Sequence, residues 1–199
     1  MTERLGLLGG TFDPPHVGHL FLAYAALESL SLDRVVFIPA LRQPLKAAAE
    51  IAAGEHRLAM TRLLVGADPR LVVDPVELGR AGLSFSVDTV REYRAARPSS
   101  ELVFLMGEDT AATLPHWREP EALAQLARLV VLTRSESAAS GAPPLPAGVH
   151  VERVSTRRID VSATEIRARV RAGLPIRGFV TDDVATYIAT HGLYRTTTE

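Results

Sequence analysis

The sequence predicts one α/β domain over residues 1–199, built as a parallel β-sheet with helices on both faces and a small helical C-terminal part. Short apolar runs alternate with segments of helical periodicity, the order typical of parallel strands joined by helices. The chain has 199 residues, the size of one full domain. It has no cysteine and is 47% hydrophobic, so a buried core rather than disulfides must stabilise it.

Each predicted strand is a short apolar run bounded by turn residues. The first run ends at Gly9-Gly10, and Pro39 stops the second. The stretch Ser135–Gly148 is rich in Ser, Ala, Gly and Pro, and we expect a surface loop there, not a domain linker, because a strand follows it at once. The predicted strands are Arg4–Leu8, Arg34–Ile38, Leu71–Val73, Glu101–Met106, Leu129–Leu132 and Val149–Val154.

Helices are predicted where apolar residues recur at three- and four-residue spacing. In the first, Leu20, Ala23 and Leu27 fall on one face. Ser84 or Ser86 is expected to cap the third helix at its N-terminus. The predicted helices are Val17–Leu30, Glu55–Val65, Ser84–Ala96, Leu123–Ala127, Glu165–Arg171 and Asp182–Thr190.

Composition excludes several classes of protein. The net charge is −1 with His neutral, whereas a non-specific nucleic-acid binder usually has a basic excess. Without cysteine there can be no thiolate nucleophile, Fe–S cluster or Cys-based zinc site. No apolar run reaches about 18 residues, so no transmembrane helix is expected. The first residues lack the apolar core of a signal peptide, which makes the cytoplasm the expected location.

The turn after the first strand is the first candidate binding site, because ligands of open α/β sheets bind beyond the carboxyl ends of the strands. It runs from Gly9 to His19 and reads GGTFDPPHVGH. Its glycines let the backbone approach a phosphate, and a helix starting near Val17 would favour anions. His16 and His19 would share one helix face, with Gly18 leaving room for an adenine ring. A purely structural turn and a weak metal pair without a third ligand remain alternatives.

This turn resembles the signature of the nucleotidylyltransferases that carry a His-x-Gly-His motif. The segment Asp160–Arg167 is similar to the Ile-Ser-Ser-Thr-x-Ile-Arg motif of the same superfamily. The segment Gly82–Thr89 resembles the Gly-x-Ser-Tyr-Thr-x-Asp-Thr stretch of bacterial nicotinate-nucleotide adenylyltransferases, and Gly107–Trp117 resembles their Gly-x-Asp and Leu-Pro-x-Trp. The closing segment up to Tyr194 also fits, so the resemblance covers essentially the whole chain and implies a Rossmann-like sheet.

The resemblance implies adenylyl transfer in NAD biosynthesis, in which the phosphate of nicotinate mononucleotide attacks the α-phosphorus of ATP and pyrophosphate leaves. The attacking phosphate is already an oxyanion near pH 7, so positioning and charge stabilisation can carry the catalysis. The catalytic residues it implies are His16, His19, Lys46 and Arg167. ATP contacts are implied at Gly9, Gly10, Thr11, Phe12, His16, Gly18, His19, Ser162, Thr164, Ile166 and Arg167. Mononucleotide contacts are implied at Lys46, Ser84, Ser86, Asp109 and Trp117.

Mg²⁺ is expected to arrive with ATP and to need no dedicated protein ligands. ATP and nicotinate mononucleotide are the expected partners, without nucleic acid or membrane, and the oligomeric state is left open, a homo-oligomer included. The chain departs from the family pattern at three positions. Leu45 replaces a histidine before Lys46, Ser86 replaces a threonine but keeps the hydroxyl, and Ala163 replaces the second serine of the downstream motif.

Simpler interpretations remain open for several of these residues. Arg167 could be a solvated helix charge, Asp109 a helix cap, Asp13 a turn residue and Trp117 a core residue. A solvated edge is the favoured interpretation for three arginines, namely Arg153, Arg157 and Arg158. For the whole chain, the alternatives are another adenylyltransferase, such as one acting on pantetheine phosphate, or a nucleotide-binding sensor without catalysis. Retention of both histidines argues against a sensor.

Overall fold

The computed structural model describes residues 2–44, 51–133 and 145–195. Six strands form one sheet in the spatial order β3-β2-β1-β4-β5-β6, and every neighbouring pair is parallel. All six predicted strands are present, with ends shifted by no more than two residues. They are β1 (Arg4–Gly10), β2 (Arg34–Pro39), β3 (Leu71–Val73), β4 (Glu101–Gly107), β5 (Arg128–Thr133) and β6 (Val151–Ser155).

All six predicted helices are also present, together with two short elements that the sequence did not predict. The added elements are a four-residue helix and a three-residue 3₁₀ turn, Leu114–His116, both too short to show helical periodicity. The helices are α1 (Val17–Ser29), α2 (Gly54–Val65), α3 (Ser86–Ala96), α4 (Glu108–Ala111), α5 (Pro120–Leu126), α6 (Ala163–Arg171) and α7 (Asp182–Thr190). None of the helices in this described part is long and apolar enough to cross a bilayer.

The sheet is buried on both faces because successive side chains of a strand point to opposite sides. In β4, Val103 and Leu105 belong to the core beneath α1, α2, α6 and α7. Leu102, Phe104 and Met106 belong to the opposite core, beneath α3 and α5. The central strands are therefore mainly apolar runs, as two-sided burial requires, whereas the edge strand β6 exposes Glu152 and Arg153. The C-terminal helices α6 and α7 pack on the same face as α1.

The predicted N-cap of α3 is wrong. Phe85 occupies the N-cap position, without a side-chain capping bond, and Ser86 is the first helical residue. Ser84 instead accepts a hydrogen bond from the backbone N–H of Leu41 at its Oγ, over 3.0 Å. A tertiary contact with the segment after β2 has therefore replaced the local capping bond that the sequence favours.

The strand order places a crevice beside the ends of β1 and β4. The chain moves outward from β1 to β3 in one direction and then returns to lay β4 on the other side of β1. Ligands of open α/β sheets bind at such a reversal, beyond the carboxyl ends of the strands. Gly10 and Gly107 stand at these two ends.

Candidate active site

The two histidines lie together at the start of α1. Their ring centroids are 3.8 Å apart, and the backbone N–H of His16 donates to Nδ1 of His19 over 3.1 Å. His16 is only 7% exposed. A Cβ atom at Gly18 would lie 3.0 Å from Nδ1 of His16, so a larger residue at this position would crowd the His16 ring. The predicted common face of the two histidines is confirmed.

The turn between β1 and α1 offers a buried hydroxyl. Oγ1 of Thr11 is buried and has no hydrogen-bond partner among the described residues, a situation that usually indicates a ligand or water partner. Phe12 follows with φ of 50°, a left-handed conformation that costs a non-glycine residue free energy. Its ring is buried and meets His19 edge-on at 5.0 Å between centroids. Phe12 can therefore approach ATP only through its backbone, a correction to the predicted contact.

The start of α6 reaches the same turn through Arg167. Ser162 is the N-cap of α6 and its hydroxyl accepts from the N–H of Glu165. The Nη1 group of Arg167 donates to the carbonyl oxygen of Asp13 over 2.7 Å, and Nη2 donates to Oγ1 of Thr164. Arg167 is thus no solvated helix charge, and the upstream and downstream motifs meet in space. Ile166 is fully buried in the core, so its predicted contact with ATP is wrong for the side chain.

Asp13 is a buried carboxylate and more than a turn residue. It is 3% exposed, and its Oδ1 accepts from the N–H of Ala52 at 3.2 Å and the hydroxyl of Tyr194 at 2.7 Å. Its Oδ2 lies 3.8 Å from Nη1 of Arg167. Burial first, and then the adjacent Asp13 carboxylate, raise the pKa of Tyr194 well above its usual range, so the hydroxyl stays protonated and donates.

Arg57 is a second buried charge that the sequence did not single out. Arg57 is 1% exposed in the first turn of α2, and its guanidinium donates to four backbone carbonyls. The acceptors lie in the turn after β1, in the segment after β2 and just before α2, namely Thr11 at 2.7 Å, Ala40 at 2.6 Å, Leu41 at 3.2 Å and Ala52 at 3.0 Å. Burial lowers the pKa of Arg57, and Asp13 opposes that shift. Asp13, Arg57 and Arg167 together carry an excess positive charge, which suits a phosphate ligand.

Three of the residues predicted to bind the mononucleotide, Ser84, Ser86 and Trp117, lie at or near the start of α3. The guanidinium of Arg118 lies 4.9 Å above the ring of Phe85, between Ser84 and Ser86. This contact brings the segment that contains Trp117 against the first turn of α3. The Trp117 indole packs edge-on against Phe104 at 5.8 Å, and its Nε1 donates to Thr113, so part of its surface serves the core, as the simpler interpretation expected.

A buried glutamate, Glu77, is hydrogen-bonded to Ser84. Glu77 is 6% exposed, and its Oε1 accepts from the hydroxyl of Thr89 at 2.5 Å. Burial raises the pKa of Glu77, while hydrogen bonds from Thr89 and Ser84 oppose the rise. Ser84 also accepts from Leu41, whose carbonyl accepts from Arg57. Hydrogen bonds through the backbone of Leu41 and the guanidinium of Arg57 therefore connect Ser84 to the turn at Thr11.

The remaining predicted residues are either exposed or outside the described residues. Asp109 is exposed on α4 and is not its cap, because Gly107 holds that position. Lys46 and its neighbour Leu45 lie outside the described residues, as does most of the predicted loop Ser135–Gly148. The three arginines expected at a solvated edge are exposed, namely Arg153, Arg157 and Arg158.

Comparisons with known proteins cover nearly the whole chain. Residues 7–169 match the cytidylyltransferase-like family. A probable nicotinate-nucleotide adenylyltransferase of Gemmatimonas aurantiaca is 53% identical over 196 residues, which cover 96% of this chain and 92% of that protein. Another, from Thermus thermophilus, is 43% identical over 192 residues, covering 96% and 100%. A solved Plasmodium falciparum nicotinic acid mononucleotide adenylyltransferase complexed with NaAD superposes with a TM-score of 0.77 over 96% of this chain and 97% of that one, at 13% identity. At that identity it shows the shared fold.

Proposed function

Since this chain belongs to the cytidylyltransferase-like family, and its relatives over nearly the full length are nicotinate-nucleotide adenylyltransferases, we infer that it transfers the adenylyl group of ATP to nicotinate mononucleotide. The products are nicotinate adenine dinucleotide and pyrophosphate. The observation that carries this inference in the structure is the hydrogen bond from Arg167 to the carbonyl of Asp13. It brings the two halves of a phosphate site, far apart in the sequence, to one place.

We propose that ATP lies across the turn from Gly9 to His19, with its phosphates between α1 and α6. The buried Thr11 hydroxyl and the N–H groups of the turn would hold the α-phosphate. His16 and His19 would donate to the charge that develops as the α-phosphorus is attacked. Arg167 would balance charge on the leaving pyrophosphate, with Lys46 assisting from a segment outside the described residues. Mononucleotide phosphate needs no base to attack, so no protein group has to accept a proton.

We propose that the mononucleotide lies beyond the end of β4, between α3 and the Trp117 segment. The first N–H groups of a helix have no partner inside it, so the start of α3 at Ser86 can receive a carboxylate. Trp117 would contact the pyridine ring, and Asp109 would face the ribose side. Mg²⁺ would enter on the phosphates of ATP, held there with water. In the described ranges, no three His, Asp or Glu side chains are grouped for metal binding.

The test is a substrate screen by pyrophosphate release. ATP with nicotinate mononucleotide is expected to give rapid turnover, whereas ATP with pantetheine phosphate is expected to give none. Turnover only with pantetheine phosphate would replace the assigned acceptor, and tight ATP binding without any turnover would favour a sensor. A cytoplasmic location stays a prediction.

A further inference from the structure

The C-terminal segment after α7 turns back and places one side chain in the site. Gly192 has φ of 60°, a left-handed conformation that glycine adopts at low cost. The N–H of Leu193 bonds to the carbonyl of Ile188 at 3.1 Å, which fixes the reversal. Tyr194 follows with φ of 62°, a conformation that is costly for a tyrosine. Its hydroxyl then donates to Oδ1 of Asp13 at 2.7 Å.

This hydrogen bond decides how the Asp13 carboxylate is oriented. Of the two donors to Oδ1, the Tyr194 hydroxyl is the shorter bond, and the N–H of Ala52 is the longer one at 3.2 Å. With Oδ1 so held, Oδ2 stays 3.8 Å from Nη1 of Arg167, beyond normal hydrogen-bond length. The same Nη1 donates instead to the backbone carbonyl of Asp13. Arg167 is therefore fixed in direction without being fully paired to the carboxylate.

Loss of the Tyr194 hydroxyl would change this arrangement. Oδ1 would keep only the Ala52 N–H in a buried place, and a buried carboxylate that lacks donors seeks a neighbouring cation. The guanidinium of Arg167 is such a neighbour, and it could close from 3.8 Å to a direct, charge-assisted pair. A directly paired Arg167 would have less charge to offer to the phosphates of ATP.

We propose that Tyr194 is a positioning residue for Arg167, acting through the Asp13 carboxylate. It touches no reacting atom itself. The proposal rests on the assigned adenylyl transfer and adds to it a role for the segment after the last helix. Its predicted signature is a change on the ATP side alone, since Arg167 lies on the phosphate side and away from the Trp117 segment.

The test compares Tyr194→Phe with Tyr187→Phe in the complete protein. Tyr187 gives a matched control, because it also loses one hydroxyl hydrogen bond, to His56 at 3.0 Å, at a place outside the site. Tyr194→Phe is expected to lower kcat/KM for ATP about tenfold, mainly through KM, with KM for nicotinate mononucleotide unchanged. Tyr187→Phe is expected to leave all of these constants within about twofold.

A second arm separates positioning from folding. If Tyr194 acts through Arg167, adding Tyr194→Phe to Arg167→Ala should lower kcat/KM by less than about twofold further, whereas adding Tyr187→Phe should leave the Arg167→Ala value unchanged. The proposal would be overturned if the effects of Tyr194→Phe and Arg167→Ala on kcat/KM multiplied in the double variant. It would also be overturned if Tyr194→Phe lowered kcat and left KM for ATP unchanged. Turnover by the unmutated protein, and its marked but measurable decrease in Arg167→Ala, test the assigned reaction separately, so failure of one is not failure of the other.

Discussion

Nδ1 of His19 accepts a hydrogen bond from the backbone N–H of His16, while the two rings lie 3.8 Å apart. An Nδ1 atom that accepts carries no proton, so neutral His19 has its proton on Nε2. The start of α1 therefore sets the tautomer of His19. The nitrogen that would donate to a phosphate is the one that bears hydrogen.

His19→Asn and His19→Ala should both lower kcat by about 100-fold, because each removes a donor to the transition state. The Oδ1 atom of asparagine can replace Nδ1 as the acceptor for His16, whereas alanine cannot. The asparagine variant should therefore be more stable than the alanine variant by about 1 kcal/mol in free energy of unfolding. Steady-state kinetics and denaturant unfolding measure the two effects. Near-normal turnover by His19→Asn would show that catalysis does not need the Nε2 donor.

Lys46 is the only lysine in the chain, which makes it accessible to a simple labelling experiment. Lys46→Ala should reduce kcat/KM while leaving the melting temperature unchanged, because the proposed role of this cation is to act on phosphates and not to support the fold. Amine labelling of Lys46, followed by peptide mass spectrometry, should be slowed by ATP or by the mononucleotide. The α-amino group serves as the internal control. If the labelling rate of Lys46 is the same with and without each ligand, Lys46 has no part in binding.

Arg57→Lys should be strongly destabilising. A lysine can replace the charge but cannot donate to the four separated carbonyls that the buried guanidinium reaches, and the acceptors left unpaired cost about 3 kcal/mol of unfolding free energy. Activity should fall with both substrates, since Arg57 joins Thr11 to Leu41. The control is Arg70→Lys, at a surface pair with Asp68, where no clear loss of stability is expected because water screens an exposed pair. Equal stability of the two variants in urea would contradict this role.

The sheet, the helices and the phosphate turn could be predicted because their signals are local. Apolar runs and glycines report on a few neighbouring residues, and β4 or the Gly9-Gly10 turn needs nothing more. Arg57, Asp13 and Tyr194 could not be predicted in the same way. An arginine after His56 looks like the polar face of a helix, and its burial depends on the β1–α1 and β2–α2 connections meeting around it. Ser84 failed as a cap for the same reason, because its partner Leu41 lies 43 residues away.

Glu77 should make stability depend on pH. Burial raises its pKa in the folded state above the ordinary 4.5, so the folded protein holds this proton more tightly than the unfolded chain does. The associated stability is complete below pH 4.5 and is lost as the pH rises through the raised value. The difference in unfolding free energy between the unmutated protein and Glu77→Gln should therefore decrease as the pH rises through that pKa. Glu121→Gln, at an exposed position on α5, is the surface control. A difference for Glu77→Gln that does not change with pH would refute the shift.

Discrimination between acid and amide pyridines should come from backbone donors near Ser86 and just after Trp117. A carboxylate accepts from them with charge-assisted strength, whereas an amide can set its NH₂ against a donor. We expect kcat/KM for nicotinate mononucleotide to exceed that for nicotinamide mononucleotide by at least about tenfold, or about 1.4 kcal/mol. Trp117→Ala should weaken both substrates and largely preserve their ratio, because an indole stacks on either ring. Equal use of both by the unmutated enzyme would end the acid preference but not the adenylyl transfer.

The hydrogen bonds that converge on Asp13 join it to residues 39, 154 and 181 positions further along the chain. During synthesis the turn that contains Asp13 leaves the ribosome first. Asp13 can form all of these hydrogen bonds only after α6 and then Tyr194 have been synthesised. All six strands precede Arg167 in the chain. The proposed ATP site is therefore completed only by the last segments to be synthesised.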